Sequence, residues 1–249
     1  MKFLGIDLGW SSGASGVCCL GWQNDQLELL DLDRLTHLSD LLDWVDRQVP
    51  PDHPGLVAVD APTIIPNQTG MRLCDRLAHQ HFGRYHAGCY PANLSRPFAS
   101  RTVGFGLDLE ARGFNHAPTI TPQQPGRYQI EVFPHPAMVH LFGLERILKY
   151  KKGCLSERRP ELARLRQYIC DRLPHLEPAL DVPRGQLPLP SIPLGGAALK
   201  AVEDQLDSLI CAYVAAHWWY WGDRKNLVLG DRLQGYIVVP IGSETPRLN

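Results

Sequence analysis

Short apolar runs separated by turn residues fill the first sixty positions. Lys2 to Leu8 reads as a buried strand, Gly9 to Gly16 as a Gly/Ser-rich turn, and Val17 to Trp22 as a second strand. Gln26 to Leu32 alternates as a third, joined to the second through Asn24-Asp25, so an antiparallel meander is expected. Leu38, Leu41, Leu42, Trp44 and Val45 then recur at helical spacing, which predicts a helix over Leu38 to Val49 that Pro50-Pro51 stops. Gly55 to Asp60 is a fourth strand. Coming after a helix, it is expected to run parallel to the first.

The pattern then loosens. Seven prolines punctuate Ala61 to Gln129, and only Met71 to Phe82 shows helical spacing. The many aromatic and apolar residues there predict an ordered insertion, over about 62–127, rather than a linker. Tyr128 to Phe133 is a fifth strand ended by Pro134, followed by a short helix from Ala137 to Phe142 and a polar helix from Glu157 to Leu173. Asp181 to Gly196 is a Pro/Gly-rich loop, Leu199 to Trp221 a long apolar helix, and Asn226 to Leu229 and Tyr236 to Val239 two last strands. No domain boundary is visible, so residues 1–249 are read as one α/β domain: a mixed sheet of five or more strands, helices on both faces, and the insertion roofing the site.

Composition narrows this only a little. With 249 residues, 44% hydrophobic and 20% charged, the chain has the make-up of a soluble globular protein. No apolar run reaches the roughly 18 residues of a membrane span, and Asp7 interrupts any leader-like start, so a cytoplasmic location with no membrane partner is expected. Seven irregularly spaced cysteines fit reduced, mostly buried thiols. The net charge of −1 speaks against broad non-specific nucleic-acid binding.

The informative residues are acidic. Asp7 sits in an apolar strand and Asp60 ends another, where an unpaired charge is costly. If these strands are parallel neighbours, both carboxylates emerge at one sheet edge, where open α/β sheets bind ligands. Asp204 and Asp207, three apart, share a face of the last helix. Each also has a plain structural reading: Asp7 as a loop cap, Asp60 as a turn residue, and the helical pair as solvent-facing. Taken together, they predict a shared site for magnesium or manganese, with two ions and a metal-activated water cleaving phosphodiesters.

Gly5-Ile6-Asp7-Leu8-Gly9, Ala58-Val59-Asp60 and Glu203-Asp204-Gln205-Leu206-Asp207-Ser208 resemble the three acidic motifs of RuvC-type Holliday-junction resolvases. Asp60 departs from the commoner Glu. Across nearly the whole chain the sequence is similar to an uncharacterised prokaryotic family of predicted RNase H-like (RuvC-like) nucleases. The segments that carry this include Val59-Asp60-Ala61-Pro62, Gly70-Met71-Arg72-Leu73-Cys74-Asp75, His86-Ala87-Gly88-Cys89-Tyr90-Pro91, Glu131-Val132-Phe133-Pro134-His135-Pro136 and Lys149-Tyr150-Lys151-Lys152-Gly153. The resemblance implies an RNase H-like fold, a divalent metal and a nucleic-acid or nucleotide substrate. In its light, Glu131 is either a fifth ligand or an acid in a structural salt bridge. Arg72 and His86 either bind phosphate or hold the insertion, and Lys149, Lys151 and Lys152 either contact a phosphate backbone or form a solvated helix end. Tyr85, Tyr90 and Phe98 either stack on bases or pack beneath the insertion.

Three rival readings stand beside the nuclease. Cys74, His79, His81, His86 and Cys89 lie close in sequence, but at no familiar zinc spacing. Gly5 to Gly9 with Ser11-Ser12-Gly13 resembles the first phosphate loop of actin/sugar-kinase-like ATPases, though Gly195-Gly196 lacks the acidic partner of their second. The third is a catalytically inert RNase H-like binding domain.

Overall fold

The computed structural model describes residues 1–11, 13–182 and 187–242. Its main sheet has six strands: β1 (Lys2–Asp7), β2 (Ser15–Gln23), β3 (Gln26–Leu35), β4 (Gly55–Val59), β5 (Asn115–His116) and β6 (Arg127–Glu131). Their order is β3-β2-β1-β4-β6-β5. β1 to β3 form the expected antiparallel meander, and β4 lies parallel to β1 and to β6. This mixed sheet, an antiparallel meander extended by parallel strands, is the arrangement an RNase H-like fold requires.

Strand alternation sorts the core into two layers. Phe3, Cys18, Leu20, Leu56, Ala58 and Ile130 face one side. They are covered there by α4 (Pro134–Phe142), α5 (Leu155–Arg172) and α6 (Gly196–Trp221). Leu4, Ile6, Val17, Cys19, Val57 and Val59 face the other. Leu41, Trp44 and Val45 of α1 (Leu38–Gln48) and Phe105 and Leu109 of α3 (Ala99–Ala111) cover that side. β4, buried at every position, is apolar on both faces, as a strand covered twice must be.

The segment between β4 and β6 is ordered. It contains α2 (Leu73–Phe82), where the sequence predicts a helix, and α3 and β5, where it predicts neither. The last two strands, β7 (Asn226–Asp231) and β8 (Gly235–Pro240), form a separate antiparallel pair. This pair packs on α2 through Cys74, Ala78, Leu229 and Ile237. No described helix is long and apolar enough to cross a membrane.

α6 lies unusually close to the sheet. A Cβ at Gly5 would come within 1.9 Å of the Ser208 carbonyl oxygen and 2.2 Å of the Ala212 nitrogen. One at Gly16 would come within 1.9 Å of the Asp204 carbonyl oxygen. Backbone thus meets backbone, and only glycine permits it. Gly16 is also the register partner of Asp7, so its missing side chain lets the α6 backbone at Asp204 come down beside the strand position that carries that carboxylate.

Gly16→Ala is therefore expected to cost about 3 kcal/mol or more, because the neighbour is helix backbone that cannot give way. Gly104→Ala, in α3 with open space at its Cβ, is expected to be neutral or to stabilise by about 0.5–1 kcal/mol. Urea unfolding of both variants checks the contrast.

Candidate metal and phosphate site

Asp7 and Asp60 leave the C-terminal ends of neighbouring parallel strands. Gly5 pairs with Ala58 and Ile6 with Val59, and the Asp60 amide donates to the Ile6 carbonyl at 2.9 Å. By alternation both side chains point to the α6 face, as Phe3, Leu56 and Ala58 do. They are half-buried on the wall of a cavity of about 940 Å³. Asp204 lines it too, together with Glu131, Arg72, His86, Lys149, Lys151 and Lys152. Asp207 lies just beneath, with 0% exposure.

The two helical aspartates are not open ligands. Lys200 Nζ lies 2.6 Å from Asp204 Oδ1, and Arg34 Nε lies 2.8 Å from Oδ2. The Tyr150 hydroxyl donates to Asp207 Oδ1 at 2.6 Å. Lys151 Nζ lies 2.6 Å from Oδ2, an ionic contact at an angle outside hydrogen-bond geometry. Glu203, also buried, meets Lys200 at 2.7 Å and Arg158 at 3.1 Å. A row of buried acids on a helix is tolerable because each is met by a cation or a hydroxyl.

Asp7 and Asp60 stand apart from this pairing. Burial raises Asp7 well above the usual carboxylate range; Lys151 pulls it back, while Asp207, Asp60 and Asp204 push it further up. Burial likewise lifts Asp60, to about 6, with Lys151 and Lys200 opposing Asp207 and a hydrogen-bonding contribution from the Asp7 carboxyl pulling it partly back. The pair favours a shared proton or a cation. For Lys151, burial acts to lower its affinity for a proton, but Asp207, Asp7, Tyr150 and Asp60 more than offset this and hold it charged.

Several sequence expectations are redirected. Arg72, read as a possible phosphate binder, is buried with its guanidinium fully engaged. Nη1 and Nη2 donate to Glu131 at 2.8 and 2.6 Å, Nη2 and Nε to Asp75 at 2.7 and 3.2 Å, and Nη1 to the Ile64 carbonyl at 2.9 Å. Glu131, read as a possible ligand, spends both oxygens on Arg72, and its register partner Val59 faces away from α6. The triad ties the insertion to the sheet. Lys151 reaches the acids rather than an outer phosphate path. His86, Lys149 and Lys152 remain exposed at the cavity. Tyr90, 55% exposed, and Trp10 line the same cavity and meet edge to face with centroids 6.5 Å apart. Phe98 is buried against Trp10, and Tyr85 packs beside Phe82, as the packing alternative had it. The thiols of Cys74 and Cys89 donate to Asp75 Oδ1 rather than gathering with His79, His81 and His86.

Sequence reasoning missed Arg34, Tyr150, Lys200 and His135. Lys200 was legible as a partner three and four residues before Glu203 and Asp204. The others come from remote elements. Arg34 is 170 positions from Asp204. His135 lines the cavity with a buried Nδ1 that has no hydrogen-bond partner among the described residues, and burial with Lys151 nearby holds it down at about 4, hence neutral. In the β1–β2 turn, the Gly9 amide donates to Ser15 Oγ at 3.0 Å, so this amide of the candidate phosphate loop is spent internally. Ser12 of that loop lies outside the described residues.

The family model described as "Protein of unknown function (DUF429)" matches residues 5–232. The chain belongs to this family. No curated protein matches it. Among solved structures, the chain is similar to T. thermophilus RuvC in complex with Holliday junction substrate, with 13% identity over 87% of this chain and 97% of that one. The TM-score is 0.33, and at that level nothing of RuvC's chemistry transfers to this DUF429 member.

Whether this member's acids suit a divalent ion is decided by their donors. Asp7 and Asp60 offer hard oxygens, side by side, at raised proton affinity, which fits one hard cation. Among the described residues, no three His, Cys, Asp or Glu side chains are arranged to hold an ion, and Asp204 and Asp207 are engaged by Lys200, Arg34, Tyr150 and Lys151.

Asp60 binds its proton more tightly in the folded chain, at about 6, than at its ordinary 3.8. Its ionisation thus opposes folding, and stability is expected to fall as pH rises through that window. Asp60→Asn is expected to flatten the fall and, in metal-free buffer above pH 6, to be the more stable form by on the order of 1 kcal/mol. Thermal unfolding of both proteins against pH checks this.

Proposed function

We propose that the chain is a divalent-metal-dependent nuclease that hydrolyses phosphodiester bonds in a nucleic acid or nucleotide. The observation that carries this reading is the Asp7–Asp60 pair. Two adjacent carboxyls of raised proton affinity sit at the C-terminal ends of parallel strands, on the wall of a cavity with cations at its rim. Asp7 and Asp60 would hold magnesium or manganese, which when bound supplies an activated water and polarises a phosphate oxygen.

The chain's own residues would do the rest. Lys149 and Lys152 have no ion-pair partner among the described residues and are exposed at the cavity, so they can take phosphate oxygens. His86, also exposed there, can donate a hydrogen bond to the same group. Trp10 and Tyr90 offer aromatic faces to a base. The cavity, about 940 Å³, is at the upper end of the range that encloses small ligands, which favours a nucleotide or a locally opened strand over a uniform duplex. In the reaction a water oxygen bonds to phosphorus, the P–O ester bond breaks, and the leaving oxygen takes up a proton.

The test is manganese-dependent cleavage of a panel of single-stranded, double-stranded and branched DNA, RNA and ATP, with Asp7→Asn alongside. Cleavage of a phosphodiester substrate is expected, reduced by ~10³-fold or more in the variant. Equal activity in both proteins, or turnover of ATP alone, would overturn the proposal.

A further inference from the structure

The acids of this site differ in how far they are already neutralised. Asp204 has a cation on each oxygen, Lys200 and Arg34, and Glu203 shares Lys200 and takes Arg158. Asp207 has a hydroxyl on one oxygen and the Lys151 ammonium on the other. Of the five acids brought together by β1, β4 and α6, only Asp7 and Asp60 have no side-chain cation in contact among the described residues.

We infer that Lys151 takes the place of a second metal ion, so that this centre binds one divalent cation, at Asp7 and Asp60, and not two. The inference rests on the metal-dependent reading above and specifies it. Lys151 is the one basic residue of the 149–152 cluster that turns inward, to within 2.6 Å of a fully buried carboxylate. An ammonium is a compact point charge with three donors, suited to a position a hard ion would otherwise fill. The carboxylates Asp7, Asp60 and Asp207 carry three negative charges and Lys151 one positive charge. The remaining two are matched by one divalent ion, and a second would leave the same excess with the opposite sign. Glu203 and Asp204 cannot absorb that excess, because Arg34, Arg158 and Lys200 already outnumber them. The Tyr150 hydroxyl closes the other Asp207 oxygen, so opening this acid as a ligand requires both neighbours of one short segment to leave.

Manganese stoichiometry tests this without reference to activity. The metal-free full chain is titrated with manganese chloride by calorimetry, and bound manganese is read by electron paramagnetic resonance. One ion per chain with an isolated-ion spectrum is expected. Lys151→Ala, checked for its fold by circular dichroism, is expected to take two ions with a spin-coupled spectrum. Lys151→Arg keeps the charge and is expected to stay at one, so the inference remains testable if the alanine variant does not fold. Two ions in the unaltered chain, two in Lys151→Arg, or one in a folded Lys151→Ala would overturn the inference and leave the nuclease reading standing. Absence of any bound manganese would sink both.

Discussion

The direct contact between α6 and the sheet is the constraint on which the rest of the molecule depends. At Gly5 and Gly16 there is no room for even a methyl group between strand and helix backbone. Because α6 rests there, Asp204 and Asp207 come to lie beside Asp7 and Asp60, and the helix is buried at every position from Leu206 to Trp219. Sealing acids into a helix core is costly, and the cations from β3, from the loop before α5 and from α6 itself offset that cost. The close packing and the charge network therefore stand or fall together.

The two faces of the sheet divide the work. On the α6 face, the strand ends present Asp7 and Asp60, which have no side-chain cation in contact among the described residues. Toward the other face, Arg72 binds Glu131 and Asp75, which locks the segment after β4 against β6. Asp75 also accepts from the Ala92 amide at 3.1 Å, so the wall that carries Tyr90 is anchored to the same triad. A buried triad of this kind fixes position more than it adds stability. Here it fixes the cavity wall relative to the acids.

How much of this the sequence carried depended on range. β1, β2 and β4 were legible because each is a short apolar run, and the shared edge of Asp7 and Asp60 followed from reading their strands as parallel neighbours. α6 was legible from its long apolar spacing, and with it the pair three residues apart. α3 was not, because Gly104, Gly106, Thr102 and Val103 weaken its helical signal; Gly106 is there for close packing on Thr63, a tertiary reason no local pattern shows. The partners of the acids were also hidden. Arg34 meets Asp204 across 170 positions, Tyr150 meets Asp207 across 57, and Arg72 meets Glu131 across 59. Spacing marks a residue type as able to hold metal or phosphate. Only the fold shows that Arg72 and Glu131 satisfy each other and that Lys151 turns inward.

The central claim, that the Asp7–Asp60 pair is a cation site made by pressing α6 onto the sheet, is tested most directly by anomalous diffraction from crystals grown with manganese. The account predicts an anomalous peak in contact with carboxylate oxygens of both Asp7 and Asp60. A well-ordered crystal with those carboxylates bare, or with manganese held only elsewhere on the chain, would contradict it.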